Sequence, residues 1–312
     1  MKDDPMARER FDIRQHITDR IIAQFEAGAP PWRQPWTGTR AVAGFPLRHT
    51  GEGYKGINIL ILWATADAKG YASDRWMTFN QARQLGGAFR KGERAAKSVF
   101  YESIEPVGDA PEQDTADAGN ARRVHFAKVY NVFNADQIEG LPDEYYIRPD
   151  PPRDLGTQAE PKLDAWFAAT GARIDTSDEP RAYYRPCEDR IHMPPIGTFH
   201  DAAGYYGTLA HEIIHWTGAG HRLDRITRFE DRRAYAFEEL VAEIGACFLG
   251  LHLGIAPRFG QSAAYIEGWI AAMKADRDVI FRAAAEAQKA VDYLDPLRSS
   301  GTPATEAVGS AA

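Results

Sequence analysis

Two histidines four residues apart, with a glutamate between them, carry the sharpest chemistry in this chain. In HEIIH, His211 and His215 fall on one face of a helix, so both imidazoles can bind one ion. Glu212 is rotated about 100° from His211, near enough to reach a water beside that ion without displacing it. The pattern predicts zinc-assisted hydrolysis, with the metal acidifying a water and Glu212 taking its proton. Tyr205, Tyr206, Leu209, Ile213, Ile214 and Trp216 would bury this helix. Two unpaired histidines and a glutamate would be costly there, which argues against an ordinary surface helix.

The third metal ligand has three candidates. Read literally, HEIIHWTGAGH fits the pattern HExxHxxGxxH, in which a glycine turns the chain and His221 binds. That pattern also requires a methionine turn downstream, and the only later methionine, Met273, lies in the helical stretch WIAAMKAD. The other candidates lie in FEELVAEIGACFLG, where Glu239 and Glu243 stand four apart on an otherwise apolar helix. A buried helix carries two aligned glutamates only if both have partners. One can bind the metal while the other steers a histidine ligand. Glu239 as ligand with Glu243 behind it is preferred, then the reverse, then His221.

Charge marks a second region. The net charge of −7 divides unevenly: residues 141–312 hold 18 basic and 26 acidic residues, whereas residues 30–100 hold 11 basic and 4 acidic. A block of +7 inside an acidic protein is a footprint for an anionic polymer, or else a solvated face.

The elements that must position these groups follow from periodicity. Ile13, Ile17, Ile21 and Phe25 predict a helix over 10–27, and further helices are expected over 57–68, 78–85 and 161–170. Long helical patterns occupy 203–217, 233–253 and 261–294. Strands are expected at 99–104, 124–133, 172–175, 182–185 and 190–193, with a mobile acidic loop between the first two. Four prolines in RPDPPRDLGTQAEP mark a linker. The fold class is α+β: one unit over 1–148, a linker at 149–160, a second unit over 161–298, and a disordered tail at 299–312. No run of 18 apolar residues is present, so no membrane partner is expected. The charged start, MKDDPMARERFD, and only two cysteines, Cys187 and Cys247, point to the cytoplasm.

The chain resembles the ArdC-type antirestriction proteins of conjugative plasmids over nearly its whole length. The resemblance rests on ITDRIIAQFEAG, PPWRQPW, GYKGINILILW, WMTFNQARQLGGAFRKGE and YNVFNADQIEGLP in the first unit. In the second it rests on AYYRPCEDRIHMPP, FHDAAGYYGTLAHEIIHWTG, RLDR and YAFEELVAEIGACFLG. One departure is GAGH before RLDR, where the family commonly has a histidine directly after HWTG. The resemblance implies an N-terminal single-stranded-DNA-binding domain, a C-terminal zincin-like metallopeptidase domain, one zinc per chain, and protection of incoming plasmid DNA from host restriction during conjugation. A host protein is the candidate peptidase substrate. It favours a glutamate of EELVAE as third ligand. It also gives the basic block a role, since non-specific single-strand binding needs cations for phosphates and aromatic faces for bases. The candidates are Trp32, Arg33, Trp36, Arg48, Tyr54, Lys55, Trp76, Arg90, Lys91 and Lys97, with Phe79 and Arg94 beside them. AYYRPCEDRIHMPP is expected to form a hairpin whose edge lines the cleft. Competing classes are a DNA-binding protein with a structural metal, and a metallopeptidase without a DNA role.

Overall fold

The structure is a computed structural model that describes residues 12–27, 45–104, 124–147, 156–226, 232–255 and 263–299. Trp32, Arg33 and Trp36, the loop at 105–123, most of the 149–160 linker and the tail from 300 lie outside these residues.

The first half opens with helix α1 (Ile13–Glu26), whose start is capped by the Asp12 carboxylate accepting from the amides of Arg14 and Gln15. Helix α2 (Ile57–Lys69) is apolar nearly all round and buried accordingly. A four-stranded sheet in the order β1-β2-β5-β4 is built from β1 (Leu47–Arg48), β2 (Arg75–Thr78), β4 (Ala96–Ile104) and β5 (Val124–Asn134). The β4–β5 pair is a long antiparallel ribbon with Ala96 opposite Val132 and Ile104 opposite Val124. Asn58 of α2 closes the backbone of the edge strand β4, donating to the Val99 carbonyl at 2.8 Å and accepting from its amide at 2.8 Å. Helix α3 (Phe79–Gln84) follows β2, and β3 (Ala88–Phe89) pairs with β6 (Ile138–Glu139). The short strands β1, β2, β3 and β6 carry too few residues for an alternation to show in sequence.

The second half contains helix α4 (Pro161–Ala169) and a three-stranded sheet in the order β7-β9-β8. Its strands are β7 (Arg173–Thr176), β8 (Tyr183–Arg185) and β9 (Arg190–Met193), with β8 and β9 forming an antiparallel hairpin whose free edge is β8. Helices α5 (Ala202–Thr217), α6 (Arg232–Leu253), α7 (Ala263–Ala275) and α8 (Val279–Ser299) complete it. The pattern expected as one helix over 261–294 is therefore two. The Asp276 carboxylate accepts from the Asp278 amide at 2.9 Å and starts α8 afresh, an acidic cap inside an otherwise continuous apolar pattern.

One apolar core runs through both halves. Phe25 of α1 meets Trp269 of α7 at 6.1 Å between ring centres, and Trp63 of α2 meets Phe248 of α6 at 6.4 Å. A smaller core of Met77, Ala82, Ala135, Ile138, Leu141 and Tyr145 sits under α3 and β6. Among the described residues, no helix is long and apolar enough to cross a membrane.

Candidate metal centre

Helix α5 begins at Asp201, whose carboxylate accepts from the Gly204 amide at 2.8 Å, and runs four turns with its apolar side against α6. Gly245 of α6 allows the two helices to approach closely. A Cβ there would come within 2.9 to 3.1 Å of Ile214. That close crossing faces HEIIH against FEELVAE.

His211, His215 and Glu239 converge. Their ligand atoms all lie within 4.8 Å of one another. The Nε2 atoms of His211 and His215 are 3.1 Å apart, and each is 3.6 Å from a Glu239 carboxylate oxygen. Two donors about 2.0–2.1 Å from one tetrahedral ion stand about 3.3–3.4 Å apart, so the three donors fit a single zinc-sized ion. Two imidazoles and a carboxylate also match the donor set of catalytic zinc sites.

The other nitrogens of both rings face carboxylates. His211 Nδ1 is 3.5 Å from Glu243, and His215 Nδ1 is 3.2 Å from Glu238. A ring that gives its Nδ1 proton to a carboxylate presents a bare Nε2 to the metal. Glu238 is held in turn by Arg225, which makes a two-pronged contact at 3.0 Å on each side and also donates to Thr217 Oγ1 and the Ile214 carbonyl. Glu238 is 2% exposed and Arg225 is 7% exposed, so this pair is fully taken out of water. Sequence reasoning missed both. The signal was present as a second glutamate in FEEL and an arginine in RLDR, but only the folded chain shows that they face each other.

Charge follows this geometry. Burial opposes a charge on His211, yet Glu239 and Glu243 outweigh it and hold its pKa well above the imidazole range. Burial would likewise raise Glu239, but His211 and His215 pull it down to about 2. Glu238 is lowered too, because His215 and Arg225 overcome its burial.

The three donors open on a cleft of about 340 Å³ lined by Ala182, Tyr183, Tyr184 and Pro186 on the β8 side and by Glu212, Tyr235 and Glu238 on the helical side. Glu212 is 7% exposed and lines the same cleft as the donors. His221 is elsewhere. It sits on the surface, 3.4 Å from Asp189 and 2.6 Å from an Arg222 nitrogen. Arg222 also pairs with Asp189, donates to the Tyr184 hydroxyl and the Trp216 carbonyl, and lies over the Trp216 ring, tying the hairpin turn to the end of α5.

The candidate DNA-binding residues divide. Trp76 is 1% exposed and Tyr54 is 8% exposed, and both pack in the main core. This corrects the expectation that their rings face bases: both belong to the main core, where the Trp76 ring meets Tyr71 at 6.1 Å between centres, and apolar burial outweighs a role at the surface. Trp63 is buried in the same core, whereas Phe100 is half exposed. Arg48 pairs with Glu52, Lys55 with Asp292 of α8, and Arg90 with Glu139, all at the surface. Lys97 donates to Asn131 at 2.6 Å, and Lys91 is exposed.

Comparison with known proteins agrees with both halves of this picture. Residues 11–133 match the family model for the N-terminal domain of anti-restriction factor ArdC, and residues 161–286 match that for a zincin-like metallopeptidase. The solved structure of the metal-free antirestriction ArdC protein from plasmid R388 superposes with a TM-score of 0.80, at 54% identity, covering 94% of this chain and 100% of that one. The chain belongs to the ArdC antirestriction family. The Mn(II)-bound structure of the same R388 protein gives 0.78 at 53% identity. Another relative is the y4eC protein of Sinorhizobium fredii, 36% identical over 293 residues, which are 92% of this chain and 93% of that protein. DNA primase TraC of Escherichia coli is 38% identical over 304 residues, 93% of this chain. The chain spans only 27% of that primase, about a quarter of its length.

Proposed function

We propose that this protein is a single-stranded-DNA-binding antirestriction factor whose second half is a zinc-dependent peptidase, acting in the cytoplasm on incoming plasmid DNA during conjugation. The observation that carries the peptidase reading is the convergence of His211, His215 and Glu239 beside Glu212 at the floor of a cleft. A structural zinc site is closed by four protein ligands, whereas three donors opening on a cleft leave a position for water or substrate. The Mn(II) in the R388 relative supports a divalent ion, and the donor set here favours zinc.

Bound between these donors, zinc would supply Lewis acidity, polarising a carbonyl and lowering the pKa of water toward about 7. Glu212 accepts the proton of the attacking water and returns it to the leaving amine. Glu238 and Glu243 fix the two imidazoles by holding their Nδ1 protons. The free edge of β8 offers backbone donors and acceptors along one wall of the cleft, where an extended peptide can add as a strand. The substrate is a host protein, and the first unit, 1–148, brings the enzyme to single-stranded DNA through its basic surface.

The test compares plasmid transfer into restricting and non-restricting recipients for wild type and Glu212→Gln. The variant keeps the shape and the metal but lacks the base, which costs about 10²–10⁴ in hydrolysis. Loss of protection with DNA binding intact assigns the function to hydrolysis. Equal protection by both proteins refutes a catalytic role for this site in antirestriction.

A further inference from the structure

We propose that Phe79 and Phe89 form a base-stacking platform for single-stranded DNA, with Arg83, Lys91 and Lys97 as its phosphate contacts. This rests on the DNA-binding reading above and locates it. Of the three described aromatics that sequence reasoning placed in the basic block, Tyr54 and Trp76 are inside the core and Phe79 is at the surface. Phe79 is 52% exposed. Its ring lies parallel to Phe89, with centres 4.8 Å apart and planes at 11°, and Phe89 in turn meets Phe133 at 4.5 Å. Phe89 and Phe133 cap the smaller core, so the stack is anchored at one end and ends in solvent at the other.

Its position is fixed. Phe79 is the first residue of α3, directly after the Thr78 cap. Thr78 and Gln81 close a reciprocal capping box, with the Thr78 amide donating to Gln81 Oε1 at 2.8 Å. A rigid ring already stacked on one face presents the other to a base without further ordering cost. A base in a duplex has both faces covered, so this geometry selects single strands.

Basic residues lie on the elements that carry it. Arg83 is one helical turn from Phe79 on the same face of α3. Lys91 lies two residues beyond Phe89, in a tight turn where Gly92 takes a positive φ of 87°. Lys97 stands across from Asn131, which shares a sheet face with Phe133 two residues on. Arg83 and Lys91 are exposed and make no ion pair among the described residues. Between residues 79 and 97 five basic residues stand against one acidic residue, Glu93. An exposed phenylalanine alone is unremarkable. An anchored pair of parallel rings, with basic residues on the same helix, the following turn and the facing strand, matches the two requirements of single-strand binding together.

The experiment titrates the full-length protein into a fluorescein-labelled thymidine homopolymer and into a duplex of the same length, across a range of salt. Phe79→Ala is expected to weaken single-strand binding about 5- to 150-fold with an unchanged salt slope, and Phe79→Tyr to restore it. Arg83→Gln and Lys91→Gln should each reduce the slope by about one. An unchanged thermal midpoint shows that Phe79→Ala still folds. If wild type binds the single strand and Phe79→Ala binds it equally well, the platform is wrong while the DNA reading stands. If wild type itself shows no preference for single strands at any salt, the DNA reading fails and the platform with it.

Discussion

Replacing Glu238 with alanine tests how the metal site is held together. Glu238 touches no reacting group, yet it joins His215 at 3.2 Å to Arg225 through two contacts of 3.0 Å. Truncation leaves the Arg225 guanidinium buried with only Thr217 and the Ile214 carbonyl as acceptors. A buried ion stripped of its partner costs about 3–5 kcal/mol. Loss of the group orienting a histidine ligand costs about 10–100-fold in metal affinity. Urea denaturation of the metal-free protein reads the first quantity, and competition with a zinc chelator reads the second. Glu238→Met combined with Arg225→Met removes both charges, and should cost clearly less stability than the two single changes summed, while metal affinity stays low. The Glu238 carboxyl is held below its ordinary range by His215 and Arg225 against its burial, so its contribution is complete above the unfolded value of about 4.3 and is lost as pH falls through the lowered one. The gap between wild type and Glu238→Ala should therefore narrow in acid. A single-variant cost under about 1 kcal/mol, or strict additivity in the double variant, would show that Glu238 does not tie Arg225 to His215.

In the metal-free protein His211 holds a proton between Glu239 and Glu243, an interaction present below the imidazole pKa of about 6.5 and lost as pH rises through the raised value. Metal must displace that proton, so calorimetry in buffers of different ionisation enthalpy should show proton release, and affinity should fall with falling pH; uptake at pH 7 without release contradicts this. Gly245→Val should push α6 off Ile214, destabilise by about 1–3 kcal/mol and weaken metal binding, both read by thermal melts with and without zinc; an unchanged metal affinity would show that the helix spacing is not what sets the site. Trp76→Ala should cost about 3–5 kcal/mol in denaturant unfolding while leaving single-strand affinity per folded molecule unchanged; a specific loss of affinity would return Trp76 to the DNA surface.

The parts of the fold written in helical period were legible. Ile13, Ile17 and Ile21 announce α1, HEIIH sits within α5, and Glu239 and Glu243 lie one turn apart on α6. What stayed hidden depends on partners distant in sequence. Trp76 and Phe79 are two aromatics in one basic block, and nothing local says that the first is buried in the main core while the second ends a stack in solvent. The break between α7 and α8 rests on one aspartate cap, which a continuous apolar period conceals. Arg225 and Glu238 are thirteen residues apart in sequence, so their pairing becomes visible only once α5 and α6 are crossed.

An equilibrium zinc titration, with metal content after dialysis, on wild type, His215→Ala, Glu239→Ala and His221→Ala tests whether two histidines of α5 and one glutamate of α6 hold a single divalent ion. One ion per wild-type chain is predicted, lost in His215→Ala, strongly weakened in Glu239→Ala and retained in His221→Ala. Full occupancy in His215→Ala, or a site emptied by His221→Ala while Glu239→Ala still binds, would show that these three residues are not the ligands.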